Sequence, residues 1–223
     1  MTVSTLRQMA AVRRGRHCEI DTSHTERHWL PEFKTFVYHT HIAIAGQDAR
    51  RCQRLAERFY HTASLSALPW YAAFLGGCSQ PLQTPPSVAI DKHQLCWARF
   101  DLGLGQPRYY RQLVSMAAPD KATWVVAARS VDDGPPLPQH AVLAYTLGPN
   151  GELVHWDARH QLLHWHHICC TPGAAMLPGR WDRYLMNALR GCGLDRAERT
   201  TYREEAEQMR NWLQSPQSQA FLQ

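Results

Sequence analysis

The chain has 223 residues, with 24 Lys and Arg against 19 Asp and Glu, a net charge of +5, and 44 % hydrophobic residues. That apolar share is enough for a packed core and excludes wholesale disorder. The basic excess is mild and forms no block of like charges, which argues against a dedicated nucleic-acid binder.

Three counts stand out: 13 His, 8 Trp and 7 Cys. An odd number of cysteines (18, 52, 78, 96, 169, 170 and 192) cannot all pair internally. Met1 to Gln8 has no charged region followed by an apolar run and does not read as a secretory signal. Reduced thiols and a cytoplasmic location are the expectation. Residues 61–90 carry no Asp, Glu, Lys or Arg, but Pro69, Pro81, Pro85 and Pro86 break them. They cannot form the continuous apolar helix of about 20 residues that spans a membrane.

Residues 1–31 read as an N-terminal arm. Thr2 to Val12 suits a short helix, with Leu6, Met9 and Val12 among Arg7, Arg13, Arg14 and Arg16. Such an arm can make transient contact with an acidic membrane surface, although a docked or frayed terminal helix is the commoner outcome. A domain follows over 32–214, and 215–223 reads as a tail.

Phe33 to Ala45 predicts a strand with Phe36, Tyr38, Thr40, Ile42 and Ile44 on one face and Val37, His39 and His41 on the other. Asp48 is a good N-cap for a helix from Ala49 to about Thr62, with Cys52, Leu55, Ala56 and Phe59 as its apolar stripe. A second short helix is predicted over 64–75, and the prolines make 78–92 a loop. Strand-like runs follow at 93–104, 108–116 and 122–131. After the turn at 132–138, runs at 141–147 and 152–156 flank Gly148-Pro149-Asn150-Gly151. The Asn-Gly pair there signals a hairpin tip. His160 to Cys170 is the last predicted strand.

From Pro178, Trp181, Tyr184, Leu185, Ala188 and Leu189 make an amphipathic helical stripe. Gly191-Cys192-Gly193 interrupts it. Asp195 with Glu198 restarts a helix as a capping box, and Tyr202, Ala206, Met209, Trp212 and Leu213 continue an apolar face up to Pro216. The order of elements predicts an α+β fold: a curved antiparallel sheet wrapped around a long C-terminal helix, with two short helices after the first strand. An apolar cavity between sheet and helix is the natural consequence.

This order resembles the START/Bet v 1-like helix-grip (SRPBCC) superfamily, and START-type domains in particular. Trp124 to Val131 is similar to that family's strand ending in Arg-Ser-Val (Arg129-Ser130-Val131). Gly173 to Pro178 is similar to its entry into the last helix, with Leu185 and Asn187 inside that helix. Residues 168–171, Ile-Cys-Cys-Thr, lack the acidic residue that the family usually carries there. The resemblance implies a single hydrophobic ligand, a lipid or other small molecule, in the cavity. Many such relatives only bind or transfer; some cyclise or aromatise polyketides.

Several constellations could carry chemistry. His164 and His166 share one strand face, and His39 and His41 repeat that spacing. If the two strands are neighbours, the four could ligate zinc or another transition metal. No HExxH, CxxC or finger spacing supports a metal, so the leading expectation is no cofactor. Arg129, on an apolar strand, is the candidate polar group of the cavity; the commoner fate of such a residue is a solvent-facing strand end. Trp97, Tyr110, Trp124, Trp181 and Leu185 are the candidate apolar contacts, against the alternative of ordinary core packing. No nucleophile motif or phosphate loop is present. Arg50, Arg51, Arg54 and Arg58 form a basic helix face, read as solvated rather than as a nucleic-acid site. The leading reading is a binding or transfer protein for a hydrophobic molecule. The alternatives are a cyclase-type enzyme using Arg129, Tyr110 or His164, and a metal-dependent protein using the His-x-His strands.

Overall fold

Period-two alternation recurs along the chain as strands, and a computed structural model shows how they pair. It describes residues 23–30, 35–60, 88–90, 93–100, 108–133, 136–137, 139, 142–144, 150–169 and 195–222. Among these lie nine strands: β1 (Ser23–Leu30), β2 (Thr35–Ala45), β3 (Val88–Ile90), β4 (His93–Phe100), β5 (Arg108–Asp120), β6 (Thr123–Ser130), β7 (Val142–Ala144), β8 (Asn150–Asp157) and β9 (Leu162–Cys169). Three helices accompany them: α1 (Ala49–Tyr60), α2 (Asp195–Leu213) and α3 (Pro216–Phe221).

The sheet runs β1-β2-β9-β8-β6-β5-β4-β3, antiparallel along this path. The expected all-antiparallel sheet is corrected at one place. β7 pairs parallel with Arg108 to Tyr110 of β5, just beyond Gln112, where the pairing of β6 ends.

β2 keeps the two faces its alternation predicts. Ile42 and Ile44 join the helix-covered core, with α2 against β2, while Val37, His39 and His41 are buried on the reverse. Thr40 and Tyr38 share the parity of Ile42. Across the sheet, Ile42 pairs with Trp165, Trp165 with Val154, and Val154 with Trp124. This row meets Leu55 and Phe59 of α1 and Ala206, Met209 and Trp212 of α2 in one cluster. Each fully buried Leu, Ile or Met contributes roughly 1.5–3 kcal/mol. The reverse face buries Val125, Ala127, Leu153 and Ile168 beside the histidines.

α1 forms as its sequence predicts. Asp48 Oδ1 accepts from the Arg51 N–H at 2.7 Å, which caps the first turn, and Cys52, Leu55, Ala56 and Phe59 are its buried stripe. Its basic face is only partly solvated. Arg51 Nη2 donates to Ser218 Oγ at 2.9 Å and Arg54 Nη1 to the Leu222 carbonyl at 3.0 Å. The expected tail 215–223 is therefore anchored: Ser215 caps α3, and Ser218 and Leu222 are buried.

Three further expectations are corrected. β1 lies inside the segment read as an arm, because Ser23 to Leu30 find the free edge of β2. β3 lies inside the predicted proline loop, where Val88 and Ile90 restore strand alternation. The Asn-Gly hairpin does not form: Asn150 and Gly151 open β8, opposite Ala128 and Ala127 of β6. Both edges of β8 are taken, by β6 and β9, so none is left for the run at 141–147. The tight turn lies instead between β8 and β9. There Asp157 Oδ1 accepts from the Arg159 and His160 N–H groups at 2.9 and 3.1 Å, and Gln161 takes φ 55°. The predicted helices over 64–75 and 178–190 lie outside the described residues.

Candidate functional site

A transverse row of polar residues crosses the helix-covered face. Register places Thr25 of β1, Thr40 of β2, His167 of β9 and Glu152 of β8 side by side across four strands. Thr25 Oγ1 and Thr40 Oγ1 are hydrogen-bonded at 3.1 Å. His167 Nδ1 donates to Glu152 Oε1 at 2.5 Å, with both side chains close to nine-tenths buried. Aromatic rings pack around the pair. Trp165 lies against His167 at 5.5 Å between centroids, and Tyr202 of α2 at 6.1 Å. Tyr202 also stacks on Tyr38 at 5.0 Å.

Burial pushes the Glu152 carboxyl above its ordinary value, while the charge and hydrogen bond of His167 and the Trp165 indole N–H pull it back. The second carboxylate oxygen, Oε2, and the indole Nε1 are both buried and make no hydrogen bond among the described residues.

The reverse face carries the histidines that the sequence singles out. β2 and β9 are neighbours, as the metal reading requires, with His41 opposite His166. The four side chains meet in pairs: His39 Nε2 with His166 Nδ1 at 3.0 Å, and His41 Nε2 with His164 Nδ1 at 3.1 Å. The His41 and His166 rings stack at 4.2 Å and 2°. The array continues to His28 beside His39, and to His155 beside His164. His155 Nδ1 bonds Thr123 Oγ1 at 3.0 Å. Stacked rings that bond one another do not converge on a point. Among the described residues no group of three or more His, Cys, Asp or Glu is arranged to hold a metal ion.

The other candidates separate. Trp124 is buried in the core on the helix-covered face. Arg129 is exposed, at a position of opposite parity to Trp124, so it is no buried cavity group; an exposed guanidinium keeps its hydration. Trp97 is registered opposite Arg111, at the parity of Arg129 and opposite to that of Trp124, which corrects its place among the cavity contacts; Tyr110 is registered opposite Ala98, at the parity of Val114. Trp181 and Leu185 lie outside the described residues. Cys52 is a packed thiol pushed up to about 12, first by burial and then by the charge of Asp48. Cys169 is buried too.

Sequence reasoning missed the Glu152–His167 pair. A Glu at an inward position of an alternating strand was the available signal. Its partner lies 15 residues away on the next strand, and the register that sets the two side by side was not legible.

No family model matches the chain, and no curated protein matches it. Solved structures do. Human StAR-related lipid transfer protein 5 is 14 % identical with a TM-score of 0.57, covering 94 % of this chain and 93 % of that one. Human STARD10 is 11 % identical with a TM-score of 0.53, covering 96 % and 82 %. A STAR-related lipid transfer protein fragment from Xanthomonas axonopodis is 12 % identical with a TM-score of 0.53, covering 89 % and 97 %. At such identities the likeness is one of fold, and the chain has a START-like fold.

Proposed function

We propose that this protein binds, and can transfer, a hydrophobic small molecule or lipid held between the sheet and its C-terminal helix in a helix-grip arrangement. The observation that carries the reading is a START-like sheet with one face lined by Ile42, Trp165, Val154 and Trp124 and covered by α1 and α2. Such a face supplies affinity by apolar burial, and a few polar groups set orientation. Trp124 is the contact we assign on described residues; Tyr110, Trp181 and Leu185 extend the proposal along the chain, while Trp97, which has the parity of Arg129, is left out of it. No helix among the described residues is long and apolar enough to cross a membrane. Loading then proceeds by transient contact with a membrane surface. The test is native mass spectrometry of the purified protein, before and after incubation with mixed phospholipid and sterol vesicles. A non-covalent organic adduct of about a few hundred daltons is expected. The absence of any adduct, before and after incubation, overturns the reading.

A further inference from the structure

The proposed binding function makes no use of the histidines on the reverse face. They come from four neighbouring strands: His28 on β1, His39 and His41 on β2, His164 and His166 on β9, and His155 on β8. The inner four do not converge on a metal ion. They bond one another, and both bonds cross from β2 to β9: His39 Nε2 with His166 Nδ1 at 3.0 Å, and His41 Nε2 with His164 Nδ1 at 3.1 Å. His39, His41 and His166 are buried. Each bond needs one N–H and one lone pair, which two neutral rings supply. One added proton per pair is tolerated, because an imidazolium still donates to a neutral ring. A second proton turns both rings into donors and removes the bond. The pairs are also coupled. His41 and His166, one from each pair, lie parallel at 4.2 Å, where two cationic rings out of water repel each other.

We propose that this array makes the seam between β2 and β9 acid-sensitive: the seam is closed while the rings are neutral and parts as they fill with protons. Histidine titrates in the range of about pH 5 to 8, and rings this close titrate as one unit. The charged groups of the described elements around the array do not offset several imidazolium charges. On β1, Glu26 stands opposite His39, with Oε1 at 3.0 Å from His24 Nε2 and Oε2 at 3.5 Å from His28 Nε2. One carboxylate serves that whole edge. On β8, Asp157 follows His155 by two residues and is held by His160 at 2.7 Å, while Glu152 faces the other side of the sheet with His167. On β6, Thr123 bonds His155, and Arg129 adds positive charge at the far strand end. The seam also divides the helices. α2 packs on β1 and β2, whereas α1 packs on β5, β6 and β8. A break between β2 and β9 therefore runs between the two helices and separates the paired Ile42 and Trp165 beneath them.

The test is hydrogen exchange of the full chain, read by mass spectrometry at about pH 7.5 and about pH 5 and corrected for the intrinsic pH dependence of exchange. An opening that takes up one net proton gains ten-fold per pH unit below the ordinary histidine value of about 6.5, or about 30-fold between these conditions. That acceleration is expected in β2 and β9, with β4 and β5 as the internal reference. Equal acceleration in the reference strands, or none in β2 and β9, overturns the seam. The double variant His41→Gln with His166→Asn takes one stacked ring from each pair and puts an amide in its place. Each amide oxygen still accepts from a protonated His164 or His39, so both bonds survive acid. The variant should keep its β2 and β9 protection in acid, and a circular dichroism melt at neutral pH verifies its folding. An unchanged acid response in the folded variant overturns the assignment to these rings. The wild-type comparison needs no variant at all. The control is His160→Gln, at an exposed ring bonded to Asp157 in the turn between β8 and β9. It should respond to acid as the wild type does; loss of the response there would move the switch to the turn and overturn the seam.

Discussion

Met209→Ala tests whether α2 is a structural cover of the sheet. Met209 is fully buried, in one cluster with Ala206, Trp212, Ile42, Ile44 and Trp165. The substitution removes the thioether chain beyond Cβ. At ~0.8 kcal/mol per buried methylene-sized group the transfer loss is roughly 2.4 kcal/mol. The cavity left behind raises the cost to about 3 kcal/mol, since α2 can collapse only in part onto Trp165. For a chain of this size each kcal/mol moves Tm by about 2–4 °C, so a fall of about 6–12 °C is expected. Urea titration should give the same loss with an unchanged m-value, because the surface exposed on unfolding is the same. The control is Arg203→Ala. Arg203 is exposed, and its 3.6 Å ion pair with Glu207 is a surface pair worth within about 0.5 kcal/mol. A fall of under about 2 °C for Met209→Ala, matching the control, would refute the packing of α2 on the sheet and the covered face that the binding function needs.

Further outcomes follow from the anchors. Arg51→Ala removes the bond to Ser218 Oγ and should cost about 1 kcal/mol. Hydrogen exchange should speed up over 216–222 and stay unchanged in the central strands; uniform acceleration would contradict an anchoring role. Cys52, with its thiol near 12, holds roughly one thiolate in ten thousand at pH 8. It should resist iodoacetamide in the folded protein and react after unfolding in urea. Asp157 is pulled down to about 2, chiefly by the hydrogen bond from His160. A depressed acid contributes stability that is present above its unfolded value of 3.8 and is lost as pH falls through about 2. Asp157→Ala should therefore destabilise by up to about 1 kcal/mol near pH 6, reduced by the group's exposure, and by clearly less at pH 2, where the carboxyl is about half protonated in the folded protein. Equal melting differences at both pH values would remove the ionised carboxylate from the explanation.

Local periodicity made several elements legible. The alternation of β2 separates Ile42 and Ile44 from His39 and His41. The stripe of α1 and its Asp48 cap follow from spacing alone, as does the apolar face of α2 from Tyr202 to Leu213. The order of these elements was enough for the START-like fold. Pairing was not legible. The Asn150-Gly151 dipeptide has strong local turn chemistry, yet β8 buries Leu153 on one face and Val154 on the other by lying between β6 and β9. That burial outweighs one turn preference. The same competition carries Arg51 to Ser218, 167 residues away, and turns an apparently solvated basic face into an anchor. It also brings Glu152 to His167 and lays a polar row across four strands. Face and period are properties of a few consecutive residues, so the sequence by itself determined them. Register and partner depend on which of many strands buries the most surface together, and only the tertiary structure decided those.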